Sequence, residues 1–257
     1  MHAMVARLGR YPVKSFQGET VDGAEVGMSG MAGDRRWAVV DPATGKALSA
    51  KRDRRLLEAS ARTTSDGEVV VTLPDGTSAA AGDQSLDRAV AAWLGRDVRV
   101  QGADADAPSA YEMNVVNTDE ASPVVDIPCP PGTFFDFGAV HLLTTASLRA
   151  GAAAYPEGDW SAERFRPTVL VDAGDGAEGF LENEWVGRTV RIGDIVLQPF
   201  MPTVRCAMVT MPQTAHGLSR DLGIATTVNR HNQSSLGVYA VVAAPGRIEV
   251  GLPVVID

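Results

Sequence analysis

The sequence has 257 residues, of which 45 % are hydrophobic, and a formal net charge of -9. This length allows one large domain or two ordinary ones, and the hydrophobic fraction is enough for a sizeable core. The acidic balance argues against free nucleic acid and anionic membranes as partners. No stretch approaches the roughly 20 apolar residues of a membrane span, and the N-terminus carries no apolar signal segment. We therefore expect a cytoplasmic protein.

The first half of the chain predicts short strands joined by tight turns. Asp22-Gly23 is typical of a hairpin turn. One helix is predicted after Asp83, which can cap it, and Gly95 can end it. Strands are predicted over residues 4–11, 21–26, 36–40, 56–63, 69–73 and 77–80.

Residues 102–133 have loop composition, and we place a domain boundary there, between 1–105 and 106–257. Beyond it, helices are predicted over 145–154 and part of 216–231, with a short turn capped by Ser161. Strands are predicted over residues 140–144, 169–171, 185–192, 195–200, 207–210, 237–244 and 247–250, the last two as a closing hairpin. The fold class is a β-rich α+β protein, in which an N-terminal mixed β domain is followed by a β-barrel.

The stretch 198–212 carries Cys206 directly after Arg205. Prolines at positions 199, 202 and 212 predict strand, bend and strand here rather than helix. A cation beside a thiol favours the thiolate, which is a nucleophile or a soft metal ligand. A free cysteine can also be a small packing residue. The other cysteine, Cys129, lies between prolines and is expected in a loop; the pair gives no CxxC spacing.

Two short motifs in the first half suggest an anion site. Tyr-Pro-Val-Lys-Ser ends in Lys14 and Ser15, and Gly-Asp-Arg-Arg-Trp holds Arg35 and Arg36. A strand alternates its side chains, so only one of the two arginines is expected to face a pocket. A phosphate site is one interpretation, and a solvated charged turn is the other.

Further polar residues lie among apolar ones in the second half. Arg164 and Arg166 flank a phenylalanine just before a strand, and a rim arginine pair is one interpretation. Asp136 lies between phenylalanines and needs a hydrogen-bond donor. His141 lies in an apolar run, which is typical of a core histidine. The sequence holds no G-x-S-x-G, P-loop or H-E-x-x-H motif.

Taken in order, five motifs resemble the MOSC proteins, relatives of the C-terminal domain of molybdenum cofactor sulfurase. The chain is similar, more narrowly, to the branch holding the mitochondrial amidoxime reducing component and its bacterial counterparts. The resemblance covers nearly the whole chain and implies a MOSC-associated N-terminal β domain followed by a MOSC β-barrel. The motifs are Tyr-Pro-Val-Lys-Ser, Gly-Asp-Arg-Arg-Trp, Arg-Phe-Arg-Pro, Arg-Cys and a closing Gly-Arg-Ile-Glu-Val-Gly.

The resemblance implies a bound molybdenum cofactor, a pterin dithiolene that carries a phosphate. Cys206 matches the catalytic cysteine whose thiolate ligates molybdenum. Lys14, Ser15 and Arg35 match positions that hold the pterin phosphate. The remaining cofactor-binding positions are Asp136, Arg166, Thr168 and Arg205.

Two positions depart from the family pattern. Thr168 stands where relatives often carry asparagine, and a hydroxyl offers one donor where an amide offers two. Val204 replaces a residue that is polar in some relatives. These departures affect the expected contacts to the pterin and to a substrate beside the metal.

The implied reaction is the two-electron reduction of small N-hydroxylated compounds, such as hydroxylamines and amidoximes. This chain lacks the cysteines of an appended ferredoxin domain, so electrons are expected from a separate donor protein. Two alternatives use the same thiol: a sulfur-relay protein that carries a persulfide on Cys206, and a carrier that hands the cofactor to other proteins.

Overall fold

The computed structural model describes residues 3–107, 109–114 and 123–257. The predicted boundary loop over 102–133 therefore lies partly outside the described residues. The described strands are β1 Ala3–Arg10, β2 Glu19–Val21, β3 Gly23–Gly27, β4 Gly30–Met31, β5 Trp37–Asp41, β6 Lys46–Ala47, β7 Ser60–Thr63, β8 Val69–Thr72, β9 Ser78–Ala80, β10 Arg99–Gly102, β11 Ala110–Asn114, β12 Val124–Pro128, β13 Val140–Thr144, β14 Val169–Asp172, β15 Val190–Ile192, β16 Ile195–Val204, β17 Ser235–Ala244, β18 Gly246–Glu249 and β19 Pro253–Ile256.

Four α-helices and several short 3-10 helices accompany these strands in the described part of the chain. The longest α-helices have 11 residues, so none is long and apolar enough to cross a bilayer. The α-helices are α1 Gln84–Leu94, α2 Thr145–Ala154, α3 Ala162–Phe165 and α4 Leu222–Asn232. The 3-10 helices are Arg54–Glu58, Leu181–Trp185, Ala207–Thr210 and Thr214–His216.

A closed barrel forms most of the second half. Its strands run in the order β14-β13-β17-β16-β15-β19-β1, and a pairing between β1 and β14 closes the ring. Closure removes exposed sheet edges. Alternating side chains of these strands fill the interior, including the fully buried Leu142, Val171, Ile192 and Val238. The first strand of the chain is therefore a wall of the second-half barrel.

The rest of the first half surrounds a separate core. A five-stranded sheet, β10-β5-β6-β11-β12, and a three-stranded sheet, β7-β8-β9, accompany α1. Leu86, Val90 and Leu94 recur every four residues on α1 and are buried. The side chain of Asp83 accepts a hydrogen bond from the Ser85 N–H at the start of the helix, and Gly95, at φ 65°, ends it.

The predicted β-rich α+β class and the barrel are confirmed, whereas several local predictions are wrong. Residues 207–210 form a 3-10 helix, and the strands predicted over 56–63 and 185–192 begin only at Ser60 and Val190, after the 3-10 helices Arg54–Glu58 and Leu181–Trp185. A short apolar run does not distinguish strand from helix by periodicity, and that ambiguity caused these errors. The helix predicted over part of 216–231 is confirmed as α4, Leu222–Asn232.

Both predicted hairpins are also wrong. At Asp22 the chain leaves the barrel sheet, and β3 pairs with β18 and β4 instead of β2. The partner of β18 is therefore β3, not β17. A turn signal fixes the bend of the chain but not the partner of the strand that follows. The domain boundary near residue 105 stays a prediction. Strand β1, before the boundary, belongs to the sheet of the second-half barrel, and β11 and β12, after the boundary, belong to a sheet with β5, β6 and β10.

Candidate functional site

A pocket of about 270 Å³ lies where the two halves of the chain meet. It approaches the roughly 300 Å³ lower end of the range for small-molecule sites. The structure brings every predicted site residue to its wall. These are Lys14, Ser15, Arg35, Asp136, Arg166, Thr168, Arg205 and Cys206.

Three of these residues have a backbone conformation that is rare outside glycine. Ser15, Arg35 and Arg166 have φ values of 68°, 49° and 56°. Such left-handed residues cost on the order of 1–3 kcal/mol each and cluster at functional sites. This backbone conformation directs the side chains of all three residues into the same cavity. Arg35 lines the pocket and Arg36 does not, as expected, but a left-handed turn rather than strand alternation decides this.

One end of the pocket is a cluster of two lysines on one carboxylate. Lys14 donates to Asp136 and, at 2.9 Å, to the carbonyl oxygen of Phe134. The Nζ of Lys51 lies 2.9 Å from the other carboxylate oxygen. Both ammonium groups also lie over the ring of Tyr111, at 3.9 and 4.8 Å from its centroid. We call these three charged residues the lysine cluster.

The charges of the lysine cluster compensate one another. Burial alone would raise the pKa of Asp136, but the two ammonium groups outweigh it and hold that pKa well below its usual range. Burial likewise opposes the charge of Lys51, yet Asp136 raises its pKa above the ordinary value. For Lys14 burial prevails and lowers the pKa.

Sequence analysis did not assign Lys51 to the site. The available signal was its rarity, because lysine occurs only at Lys14, Lys46 and Lys51. The contact with Asp136 joins residues 85 positions apart. No local motif encodes such a contact.

The pocket also holds two arginines, the buried Arg166 and the partly buried Arg205, which we call the arginine pair. The Arg166 guanidinium lies 4.2 Å from the Tyr11 ring centroid, and its Nη1 is buried without a hydrogen-bond partner among the described residues. Burial, with the nearby Arg35, lowers its pKa to about 10. Burial also lowers the pKa of Arg205, whose Nε has no described partner. An anionic ligand is the group that would satisfy these donors.

Arg35 also lines the pocket, and its charge is already balanced by the carboxylate of Asp34. Asp34 is fully buried, pairs with the Arg35 guanidinium and accepts from the Tyr11 N–H at 2.7 Å. The Arg35 N–H donates to the Tyr11 carbonyl at 2.8 Å. The turn that carries Arg35 is therefore tied to the motif that carries Lys14.

Cys206 is a free, partly exposed thiol two residues after the end of β16. Two contacts fix its surroundings: the Arg205 N–H donates to the Ser234 carbonyl at 2.7 Å, and buried Arg164 donates to the Val209 carbonyl at 3.0 Å. Arg164 is therefore fully buried and anchors the backbone after Cys206; it does not lie at the rim of the pocket. Val204, 58 % exposed, lies at the pocket wall.

The second thiol is in a different place. Cys129 is buried in a loop after β12, and it is not among the pocket residues. Burial raises the pKa of its thiol. In the part of the chain that the structure describes, no group of three or more His, Cys, Asp or Glu side chains could hold a metal ion.

The two hydroxyl residues of the site already accept hydrogen bonds. Ser15 Oγ accepts from the Ala50 N–H at 2.9 Å, and Thr168 Oγ1 accepts from the His141 N–H at 3.3 Å. Each hydroxyl still has its own hydrogen to donate. Both can therefore serve as donors to a bound anion.

The pocket is strongly cationic although the chain as a whole is acidic. Asp136 is the single carboxylate among the described lining residues. Against it stand six cations: Lys14, Arg35, Lys51, Arg164, Arg166 and Arg205. A site of this kind, with a thiol at its wall, is typical of proteins that bind an anionic group beside a reactive or metal-ligating sulfur.

Two family profiles match the sequence and together cover nearly all of it. The MOSC N-terminal beta barrel domain matches residues 2–118, and the MOSC domain matches residues 130–255. The chain belongs to the MOSC domain proteins, a family associated with the molybdenum cofactor. A search of curated proteins returned no match.

Solved structures with a similar fold include the YuaD protein from Bacillus subtilis, at 11 % identity and a TM-score of 0.51, over 99 % of this chain and 94 % of that one. YiiM from Geobacillus stearothermophilus is 17 % identical over 58 % of this chain and 73 % of its own, with a TM-score of 0.35. YiiM from Escherichia coli is 16 % identical over 47 % and 54 %, with a TM-score of 0.32. The YuaD likeness supports a shared fold and nothing further.

Proposed function

We propose that this protein binds the molybdenum cofactor in the cationic pocket and reduces small N-hydroxylated compounds there. The observation that carries the proposal is the arginine pair beside Cys206. Each guanidinium has a buried nitrogen without a described partner, and Cys206, the one thiol among the described lining residues, directly follows Arg205. A cofactor that is both phosphorylated and held through sulfur chemistry fits this combination.

The residues present fit the cofactor on chemical grounds. The phosphate would be held by Lys14, Ser15 and Arg35, which offer an ammonium, a hydroxyl and a guanidinium. Arg166 has a spare buried donor for the pterin or its phosphate. The Cys206 thiolate would ligate molybdenum, as a soft ligand. When bound, the cofactor supplies the two-electron redox chemistry, and the protein binds and orients it.

The roles of two further predicted residues are narrower. Both oxygens of Asp136 already accept from lysines, so we propose that it acts on the cofactor through Lys14 and Lys51. Thr168 can donate one hydrogen bond, and its oxygen is already used by His141.

The decisive test is the metal content of protein made in a molybdenum-replete host. We expect stoichiometric molybdenum and pterin in the native protein, and loss of molybdenum with an intact fold in Cys206→Ser. Cys129→Ser is the matched control, because that thiol is buried outside the pocket. Equal molybdenum in the native protein and Cys206→Ser would overturn the assignment.

A separate donor protein is proposed as the source of electrons. The sequence carries no cluster cysteines, and its one G-x-G-x-x-G pattern, at residues 174–179, is followed by the 3-10 helix Leu181–Trp185 instead of the α-helix that a dinucleotide fingerprint opens. With NADH or NADPH alone we expect no turnover of a hydroxylamine or amidoxime, whereas reduced viologen should support turnover in native protein but not in Cys206→Ser. Metal-replete protein that is inactive with viologen, yet transfers its cofactor to an apo-molybdoenzyme, would favour the carrier alternative.

A further inference from the structure

His141 links the two members of the arginine pair. Its Nδ1 lies 3.3 Å from the carbonyl oxygen of Arg166, and its Nε2 lies 2.9 Å from Nη2 of Arg205. The ring is buried, and its centroid lies 5.7 Å from that of Tyr239. One imidazole therefore contacts both arginines, at a backbone carbonyl and at a guanidinium.

The hydrogen-bond chemistry fixes the form of this ring. The carbonyl oxygen of Leu236 also lies 3.4 Å from Nε2 of His141, but the contact with Arg205 is shorter, at 2.9 Å. A guanidinium can only donate, so Nε2 of His141 accepts from Arg205. The ring hydrogen is then on Nδ1, where it can be donated to the Arg166 carbonyl. The imidazole is neutral in this arrangement. Burial, and then the Arg205 charge, lower the pKa of His141 well below the ordinary value, in agreement with the geometry.

The neutral partner leaves the Arg205 charge available. The described carboxylates near Arg205 have other partners: Asp34 pairs with Arg35, Asp136 pairs with the two lysines, and buried Glu182 accepts from the hydroxyls of Thr144 and Ser147 and from the Gly237 N–H. A carboxylate in the place of His141 would hold Arg205 equally well but would cancel its charge. An imidazole provides an acceptor without that cancellation.

We propose that His141 is a positioning residue that holds the Arg205 guanidinium beside Cys206 while leaving its positive charge uncompensated for an anionic ligand. The inference rests on the proposed function only for the identity of that anion. The surroundings of the ring keep it in place. Gly237 has a φ of 84°, and a Cβ there would lie 2.2 Å from Nε2 of His141. The Gly237 N–H donates to buried Glu182 at 3.0 Å, which fixes the strand against the ring.

Three substitutions of His141 distinguish its role in positioning Arg205 from the effect of its own neutral charge. His141→Gln keeps a neutral acceptor near the Nε2 position, His141→Glu keeps an acceptor but adds a negative charge, and His141→Leu removes the acceptor. All are made in a Cys129→Ser background, so that Cys206 is the one remaining thiol. The readouts are the affinity for inorganic phosphate by calorimetry and the rate at which iodoacetamide alkylates Cys206 at neutral pH. Neither needs the molybdenum cofactor, so failure of the proposed function would not affect them.

We expect His141→Gln to stay within about threefold of the parent in both readouts. His141→Glu should lose about tenfold or more in both, with a melting temperature at or above the parent's, because the charge and not the fold has changed. Parent-like values for folded His141→Glu would overturn the proposal. If that variant does not fold, His141→Leu against His141→Gln decides: the proposal requires phosphate affinity to fall only in His141→Leu, and equal affinities overturn it.

Discussion

The lysine cluster and the arginine pair are both cationic, yet they differ in how their charge is balanced. In the lysine cluster, Asp136 pairs with both ammonium groups, and the net charge of the three residues is one. In the arginine pair, Arg166 and Arg205 have neutral or aromatic partners and no carboxylate among the described residues within ion-pair distance. The same sign of charge thus serves two purposes in one pocket.

The difference indicates which end determines the stability of the ligand-free protein and which end is poised for a ligand. A paired buried charge is costly to unpair, because the remaining partner stays desolvated. An unpaired buried guanidinium already bears its desolvation cost, and a bound anion can relieve it. We therefore expect substitutions in the lysine cluster to affect folding in addition to the phosphate contact of Lys14, and those in the arginine pair to affect binding without loss of stability.

The largest effect is expected from Asp136→Asn. It leaves Lys14 and Lys51 facing each other without a carboxylate, and removing one partner of a buried ion pair typically costs about 3 kcal/mol. The free energy of unfolding, measured by urea denaturation, should fall by about that amount. Asp126→Asn is the matched control, because Asp126 is 53 % exposed in its pair with Lys46; it should cost less than about 1 kcal/mol. Equal losses would contradict the comparison.

Arg166→Met should produce a smaller effect, and on a different property. Methionine fills the space of the stem but removes an unpartnered donor and a desolvated charge. The free energy of unfolding of the ligand-free protein should be unchanged or higher. Phosphate affinity should fall about tenfold or more, because a charge-assisted hydrogen bond contributes about 1.5–3 kcal/mol.

Arg36→Met is the control for that substitution, since Arg36 does not line the pocket. It should leave phosphate affinity unchanged. A destabilised Arg166→Met protein that still binds phosphate with native affinity would reverse the roles assigned to the two ends.

The smallest effect concerns pH. The pKa of His141 is lower in the folded protein than its unfolded value of about 6.5. Below that value the unfolded chain binds a proton that the folded protein does not, so stability falls as the pH decreases through 6.5. The slope from this residue is at most about 1.4 kcal/mol per pH unit.

His141→Gln should remove that contribution. The free energy of unfolding of each protein is measured by urea denaturation from pH 7.5 to 5, and the difference between the two proteins isolates residue 141. His216, whose pKa burial also lowers, is present in both and cancels. A constant difference over this range would mean that His141 titrates normally in the folded protein.

Local sequence signals predicted the elements that local chemistry controls. The limits of β13 and α2, at 140–144 and 145–154, follow from one apolar run and one helical segment. The cap at Asp83 and the end at Gly95 are likewise local. The same reasoning failed at 207–210, where a 3-10 helix follows Cys206, because a run of three apolar residues and a threonine satisfies either pattern.

The sequence by itself determined which chemistry is present: a thiol beside an arginine, two motifs that carry Lys14 and Arg35, and the family to which the chain belongs. Only the tertiary structure decided how those charges are balanced. The pairings of β13 with β17 and of β17 with β16 bring His141 to Arg205, and the packing of two segments outside the strands brings Lys51 to Asp136. These contacts join residues 64 and 85 positions apart, and no local pattern specifies either the strand register or the loop packing on which they depend.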